Sequence, residues 1–316
     1  MPLKHAAIAL CAGLALSGCE SRRTPTDSDI LSPPVGAQHR GVNLVASATL
    51  PADTFDHLGR NNVDWVAQIP FGWQPRYDVP EVRLRTTGVV WGETDRGLRE
   101  TTSQARAQGF KTLLKPHLWL IEEVPGQWRG TISFTSEEEW LRWEEDYRSF
   151  ILHYAHLAAE TGMEMFCIGV ELHSAVRERP AFWRQLIQEI RAIYPGELIY
   201  GANWFQEYKD VSFWDQLDYI GIHAYFPLTN SLDARIDELE RGWQPYLESI
   251  EALQQTYGKK VIFTEIGYRS IAGAAIEPWN WTVRRRLDLQ EQSDSYEALF
   301  RTFWHQPWFA GLYIWK

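Results

Sequence analysis

The sequence predicts an α/β protein, a (β/α)₈ barrel built as a single domain over residues 40–316. Three observations carry this. From residue 41 onward, short runs rich in β-branched and aromatic residues alternate with helical patterns, the signature of a parallel sheet made of βα units. Eight such runs can be counted, the number a closed barrel needs. No glycine-rich dinucleotide loop follows any of them and no P-loop sequence is present, which disfavours an open nucleotide-binding sheet.

The expected strands cover residues 41–45, 64–69, 111–116, 164–170, 198–203, 219–224, 261–264 and 312–315. Several are apolar throughout, as expected where both faces of a strand are buried. Between them, Trp140, Trp143, Tyr147, Phe150, Tyr154 and Leu157 recur at three- and four-residue steps and define one helical face. Ser136 with Glu139 forms a capping box at its start, and Gly162 marks its stop. Leu232, Ile236, Leu239, Trp243, Leu247, Ile250 and Leu253 predict a second helix, bent at Pro245. A third covers residues 296–304. The chain stops at Lys316, at the end of the eighth strand, so the last helix of the barrel is expected to be missing.

Ahead of the barrel, one firm positive charge, Lys4, precedes an apolar run over residues 6–15, too short to span a bilayer. The run ends in Leu16-Ser17-Gly18-Cys19, which resembles the lipobox of bacterial lipoproteins. Residues 1–18 then read as a signal peptide, Cys19 as the site of lipidation, and residues 19–39 as a polar tether. This implies a cell-envelope protein anchored by lipid. Glu20 after the cysteine, where inner-membrane retention uses aspartate, favours the outer membrane.

A net charge of −10 argues against nucleic acid, because phosphate binding needs a basic surface, and it disfavours an anionic polysaccharide. Of the three cysteines, Cys11 is lost with the signal, Cys19 carries lipid, and Cys167 lies in an apolar strand as an inert buried thiol. Neither a disulfide framework nor a metal site is expected, since no Cys or His cluster has ligand spacing. No cofactor is expected either, and a monomer is. The 16 Trp, 13 Tyr and 14 Phe make either a bulky core or stacking surfaces for sugar rings.

Catalytic groups of barrel enzymes project from the C-terminal ends of strands. Two glutamates stand there. Glu171 closes the run Met165-Phe166-Cys167-Ile168-Gly169-Val170, and Glu265 closes Val261-Ile262-Phe263-Thr264. A carboxylate at the end of a buried strand is costly unless solvated, paired or used. On strands four and seven of eight, the two lie across the barrel mouth, where about 5–5.5 Å between carboxyls suits double displacement at a sugar carbon. Other acids fit less well. Asp218 precedes a strand, Glu122 and Glu123 sit in a loop, and Glu137, Glu138 and Glu139 complement a helix N-terminus.

Placement of an acid/base after strand four and a nucleophile after strand seven resembles the clan A glycoside hydrolases. Within that clan, Ile168-Gly169-Val170-Glu171-Leu172 and Phe263-Thr264-Glu265-Ile266-Gly267-Tyr268 resemble glycoside hydrolase family 113, which contains β-1,4-mannanases. Leu114-Lys115-Pro116-His117, Tyr200-Gly201-Ala202-Asn203-Trp204 and Ala224-Tyr225-Phe226-Pro227-Leu228 are similar to that family too. Val170 stands where most of the clan has Asn, a departure shared with family 113. The resemblance implies a lipoprotein form of a retaining hydrolase of β-1,4-mannan or manno-oligosaccharides, with Glu171 as acid/base and Glu265 as nucleophile. It also implies that Tyr225 bonds the nucleophile and that Trp315 stacks a sugar. Lys115, His117, Asn203 and Trp204 are candidates for binding sugar. His223 is a site residue or a satisfied core histidine, and Trp91 an outer platform or loop packing. Another β-glycan as substrate, or a non-catalytic glycan-binding lipoprotein, are the alternative readings.

Overall fold

The computed structural model describes residues 38–315. In chain order the elements begin β1 (His39–Leu44), α1 (Thr54–Arg60), β2 (Trp65–Gln68), β3 (Phe71–Gln74), β4 (Arg83–Leu84) and α2 (Asp95–Ala107). They continue with β5 (Lys111–Leu114), β6 (His117–Leu120), α3 (Glu137–Thr161), β7 (Met165–Val170), α4 (His173–Glu178), α5 (Pro180–Ile193) and β8 (Glu197–Asn203). Last come α6 (Glu207–Asp210), β9 (Tyr219–His223), α7 (Ile236–Tyr257), β10 (Lys260–Ile266), α8 (Leu289–Phe303) and β11 (Phe309–Ile314).

Strands β1, β2, β5, β7, β8, β9, β10 and β11 close into one parallel barrel, with β1 paired to both β2 and β11. Each overlaps one of the eight expected strands. Within the barrel, Trp65, Ala67, Leu113, Met165, Cys167, Val170, Ile199, Ile262, Ala310 and Tyr313 fill the interior. Burial pushes the Cys167 thiol up to about 11, so it is inert, as its strand position implied. A larger apolar layer joins the outer faces of the strands to the helices.

Helix α3 forms where the periodicity put it. The Ser136 side chain accepts from the Glu139 amide while the Glu139 carboxylate accepts from the Ser136 amide, and Gly162 ends the helix in left-handed geometry at φ 65°. Several boundaries differ from expectation; the third expected helix begins at Leu289, seven residues early, and the seventh expected strand runs on to Ile266. The first strand starts at His39, so the last tether positions, Gln38 and His39, belong to the barrel; Gln38 donates to the Trp304 and Phe309 carbonyls. The third strand stops at Leu114, ahead of Pro116, whose nitrogen cannot donate to a ladder. The eighth begins earlier, at Phe309. Helix α7 begins at Ile236, leaving Leu232 half-exposed in a turn. There the Ser231 amide bonds the Thr229 hydroxyl and the Asp233 amide bonds the Ser231 hydroxyl, turns that compete with a helix. Pro245 lies inside α7, which continues past it.

The strand reading did not foresee a small second sheet of order β4-β3-β6. Its strands are two to four residues long, too short for periodicity to register. It places His117 opposite Phe71 above the third barrel strand. The signal peptide, Cys19 and the rest of the tether lie outside the described residues. Among those described, no helix is long and apolar enough to cross a membrane, and no group of three or more His, Cys, Asp or Glu could hold a metal ion.

Candidate active site

Glu265 is the next-to-last residue of β10, and Glu171 follows β7 directly. Both therefore stand at the C-terminal mouth of the barrel. The Glu171 amide still bonds the Gly201 carbonyl at 2.9 Å, but its φ is +53°, a left-handed conformation that a side chain adopts only at a cost. At Glu265, a register shift against β9 brings the carboxylate opposite His223.

Glu265 is 6% exposed and surrounded by donors. Lys115 Nζ lies 2.5 Å from its Oε1 and also donates to the Thr264 carbonyl at 3.2 Å. The Tyr225 hydroxyl donates to Oε2 at 3.2 Å. His117 Nε2 stands 3.4 Å and His223 Nε2 3.3 Å from Oε1. Burial pulls the Lys115 pKa down, against the attraction of Glu265. It pushes the Tyr225 hydroxyl well up, as does Glu265 beside it, so the phenol keeps its proton. His117 is held well below its ordinary pKa by burial, with Lys115, Arg129 and His223 adding to it. A neutral His117 that accepts from Arg129 Nη1 at its Nδ1, 3.4 Å away, carries its proton on Nε2 and turns it toward Glu265.

Around Glu171 the donors differ. Asn203 Nδ2 donates to Oε1 at 2.8 Å and Arg129 Nη1 to Oε2 at 3.2 Å. His223 Nδ1 lies 3.2 Å from Oε1, so the two carboxyls face opposite nitrogens of one buried imidazole. Gly201 makes room for that ring, since a Cβ there would come within 2.7 Å of His223 Nε2. Burial raises the Glu171 pKa, but His223, Arg129 and Asn203 outweigh it and hold the carboxyl well below the usual range. A second carboxylate close by raises the pKa of an acid. At Glu171 the charges and hydrogen bonds of His223, Arg129 and Asn203 reverse that.

Lys115, His117, Asn203, His223 and Tyr225 thus join the two glutamates in one contact network. Trp315 borders it, stacked on His117 with centroids 5.9 Å apart and lying under Lys115 Nζ at 5.2 Å. Trp204 touches neither carboxyl; it stacks on Trp279 at 4.7 Å and meets Phe226, next to Tyr225. Trp91 sits apart, in a one-turn 3₁₀ helix, where it lines a shallow hollow with Leu44, Val45, Gln68 and Ile69.

Three site residues escaped the sequence reading. Arg129 lies in a short 3₁₀ turn after β6, flanked by Trp128 and Gly130; a lone cation in a mouth-side loop was its only signal. Trp279 comes from the long segment after β10. Glu207 opens α6 in a stretch that reads as an ordinary charged helix, yet it is fully buried. It accepts from the Tyr200 hydroxyl at 2.6 Å and from the Asn203 amide at 2.7 Å. Burial pushes its pKa up to about 8, against the hydrogen bonds from Tyr200 and Asn203.

A closed parallel barrel with a buried carboxyl pair at its C-terminal mouth, edged by aromatic rings, defines a barrel glycoside hydrolase. The family model for Glycoside Hydrolase Family 113 matches residues 46–316, and the chain belongs to that family. Among solved structures it is similar to the family 113 β-mannanase from Alicyclobacillus acidocaldarius, in complex with ManMIm: 29% identity, TM-score 0.77, covering 89% of this chain and 87% of that one. A complex structure of a family 113 β-1,4-mannanase matches at 28% identity and TM-score 0.76, covering 88% of each chain. A β-glucuronidase from Ruminococcus gnavus shares the fold alone, at 12% identity and TM-score 0.58, covering 89% of this chain and 44% of that one. No curated protein matches the chain.

Proposed function

We propose that the protein is a retaining glycosidase that cleaves β-1,4-mannosidic linkages, with Glu265 as nucleophile and Glu171 as acid/base. The observation that carries the mechanism is the pair of carboxyls set across a single imidazole, each with its own donors. Double displacement needs the two carboxyls about 5–5.5 Å apart, where an inverting enzyme keeps a wider gap for water. Mannan as substrate is supported by the two family 113 relatives named β-mannanase at 28–29% identity.

In this reading a mannosyl unit stacks on Trp315, and Lys115 and the Tyr225 hydroxyl keep Glu265 charged and aimed at the anomeric carbon. Glu171 protonates the departing oxygen as the Glu265–sugar bond forms. It then removes a proton from the water that breaks that bond. Substrate hydroxyls entering between Glu171 and Arg129 weaken the ion pair that keeps Glu171 ionised, and the expelled water leaves burial to raise its pKa. The same proposal includes attachment to the cell envelope through lipid on Cys19, outer membrane preferred; labelling with a fatty-acid analogue, lost in Cys19→Ala, checks it.

The test is hydrolysis of mannohexaose followed by NMR of the first-formed anomer. Retained β configuration is expected, with turnover abolished in Glu265→Ala while the fold is kept. In Glu171→Ala, loss of general acid–base catalysis should slow turnover by about 10²–10⁴. First-formed α product, or full activity in Glu265→Ala, overturns the mechanism. Cleavage of another β-glycan in place of mannan overturns the substrate.

A further inference from the structure

Glu207 is a buried carboxyl for which the mechanism above has no use. Burying such a group away from water is unfavourable unless its hydrogen bonds offset the loss, so its place in the fold calls for a compensating role. One oxygen holds the end of β8 directly, and the other reaches the residues after β7 through Tyr200. Oε2 accepts the Asn203 amide, and Asn203 is the residue whose side chain donates to Glu171 at 2.8 Å. Oε1 accepts the Tyr200 hydroxyl, which itself accepts the amide of Leu172, the residue after Glu171, at 2.8 Å. A closed circuit results: Glu171, Asn203, Glu207, Tyr200, Leu172 and back to Glu171. It encloses the one catalytic carboxyl held at positive φ, whose backbone therefore relaxes if its flanks are released.

We propose that Glu207 is a positioning residue: through the Asn203 amide and the Tyr200 hydroxyl it holds both segments that aim the Glu171 carboxyl at the glycosidic oxygen. The inference rests on Glu171 being the acid/base. Glu265 has no member in the circuit, so nucleophilic attack is spared while proton transfer suffers. The two steps separate experimentally, because a good leaving group needs no protonation and a poor one does.

The experiment measures kcat/KM for dinitrophenyl and phenyl β-mannobiosides with Glu207→Leu, Glu207→Gln and Tyr200→Phe, with circular dichroism and melting curves recorded for each. Tyr200→Phe keeps the ring and serves if Glu207→Leu does not fold. A misaimed acid should cost Glu207→Leu and Tyr200→Phe about a hundredfold on the phenyl substrate and less than about threefold on the dinitrophenyl one. Glu207→Gln, which keeps an acceptor for one partner, should recover most of the loss. Equal losses on both leaving groups, or none on either, overturn the inference. Glu171→Ala run alongside separates the two readings. If it shows leaving-group dependence and the Glu207 variants do not, this inference alone fails. If Glu171→Ala shows none, the acid/base reading fails and takes this one with it.

Discussion

Lys115 is fully buried with its charge against Glu265, and each charge compensates the other. Removing one partner of a buried pair leaves the other uncompensated and typically costs about 3–5 kcal/mol. His117 and His223 remain near Glu265, so Lys115→Met is expected at the low end, about 3 kcal/mol by urea denaturation. Adding Glu265→Gln to Lys115→Met should return most of that stability, although neither variant turns over substrate well; an additive double variant would show the pair to be uncoupled. The residues of this network were legible to very different degrees. Glu171 and Glu265 could be read because each ends an apolar strand, and Lys115, His117, His223 and Tyr225 because each lies at or just past a strand end. Arg129 and Glu207 follow from loop geometry, which no periodicity encodes. Glu207 in particular sits in the stretch Glu207-Tyr208-Lys209-Asp210, indistinguishable from a solvated helical turn until Tyr200 and Asn203 close over it.

Among the elements, the barrel strands and α3 were readable for one physical reason: burial on both faces of a strand, or on one face of a helix, writes itself into the spacing of apolar residues. The small sheet β4-β3-β6 has no such signature, and it is fastened by a polar side chain. Buried Gln74 accepts the Trp143 indole proton at 3.0 Å and donates to the Arg76 and Val79 carbonyls at 2.9 and 3.1 Å. Gln74→Leu keeps the volume but strands the indole N–H and the carbonyls, so a loss of about 2–3 kcal/mol is expected in urea denaturation. Because β3 pairs with β6 and sets Phe71 opposite His117, KM should rise as well. A variant as stable as the wild type would mean that packing against Trp143 holds the sheet without those bonds.

At the scale of the whole molecule, aromatic content proved an ambiguous sign. Trp143, Trp183, Trp214 and Trp243 are wholly buried between helices and barrel, whereas Trp119, Trp128, Trp279 and Trp281 are exposed. Core and cleft both draw on the same residue type, and only the fold divides them. Titration of two distant buried groups has a consequence of the same global kind. His39 stacks on Trp65 at the N-terminal end of the barrel, and burial, with Lys111 adding to it, lowers its pKa from 6.5 to about 3. The unfolded chain takes up a proton there that the folded one refuses, so this group withdraws stability as pH falls below 6.5, by about 2 kcal/mol between pH 7 and 5. Glu207, at the opposite mouth, is raised from 4.5 to about 8. The folded chain keeps a proton that the unfolded one releases, so it withdraws stability as pH rises above 4.5, by about 2–3 kcal/mol between pH 5 and 7. Glu171, depressed in the fold, adds stability that is lost only below the ordinary carboxylate range and contributes little in this window. Buried His117, held well below its ordinary pKa, withdraws stability as pH falls in the same way as His39, so the wild-type protein should be less stable at pH 5 than at pH 7. His39→Phe, which keeps a stacked ring, removes one of the two histidine contributions and should narrow that difference. Glu207→Gln removes the opposing contribution and should widen it. Urea midpoints of the three proteins at both pH values decide it: the same difference between pH 5 and pH 7 in all three would mean that neither His39 nor Glu207 titrates with folding.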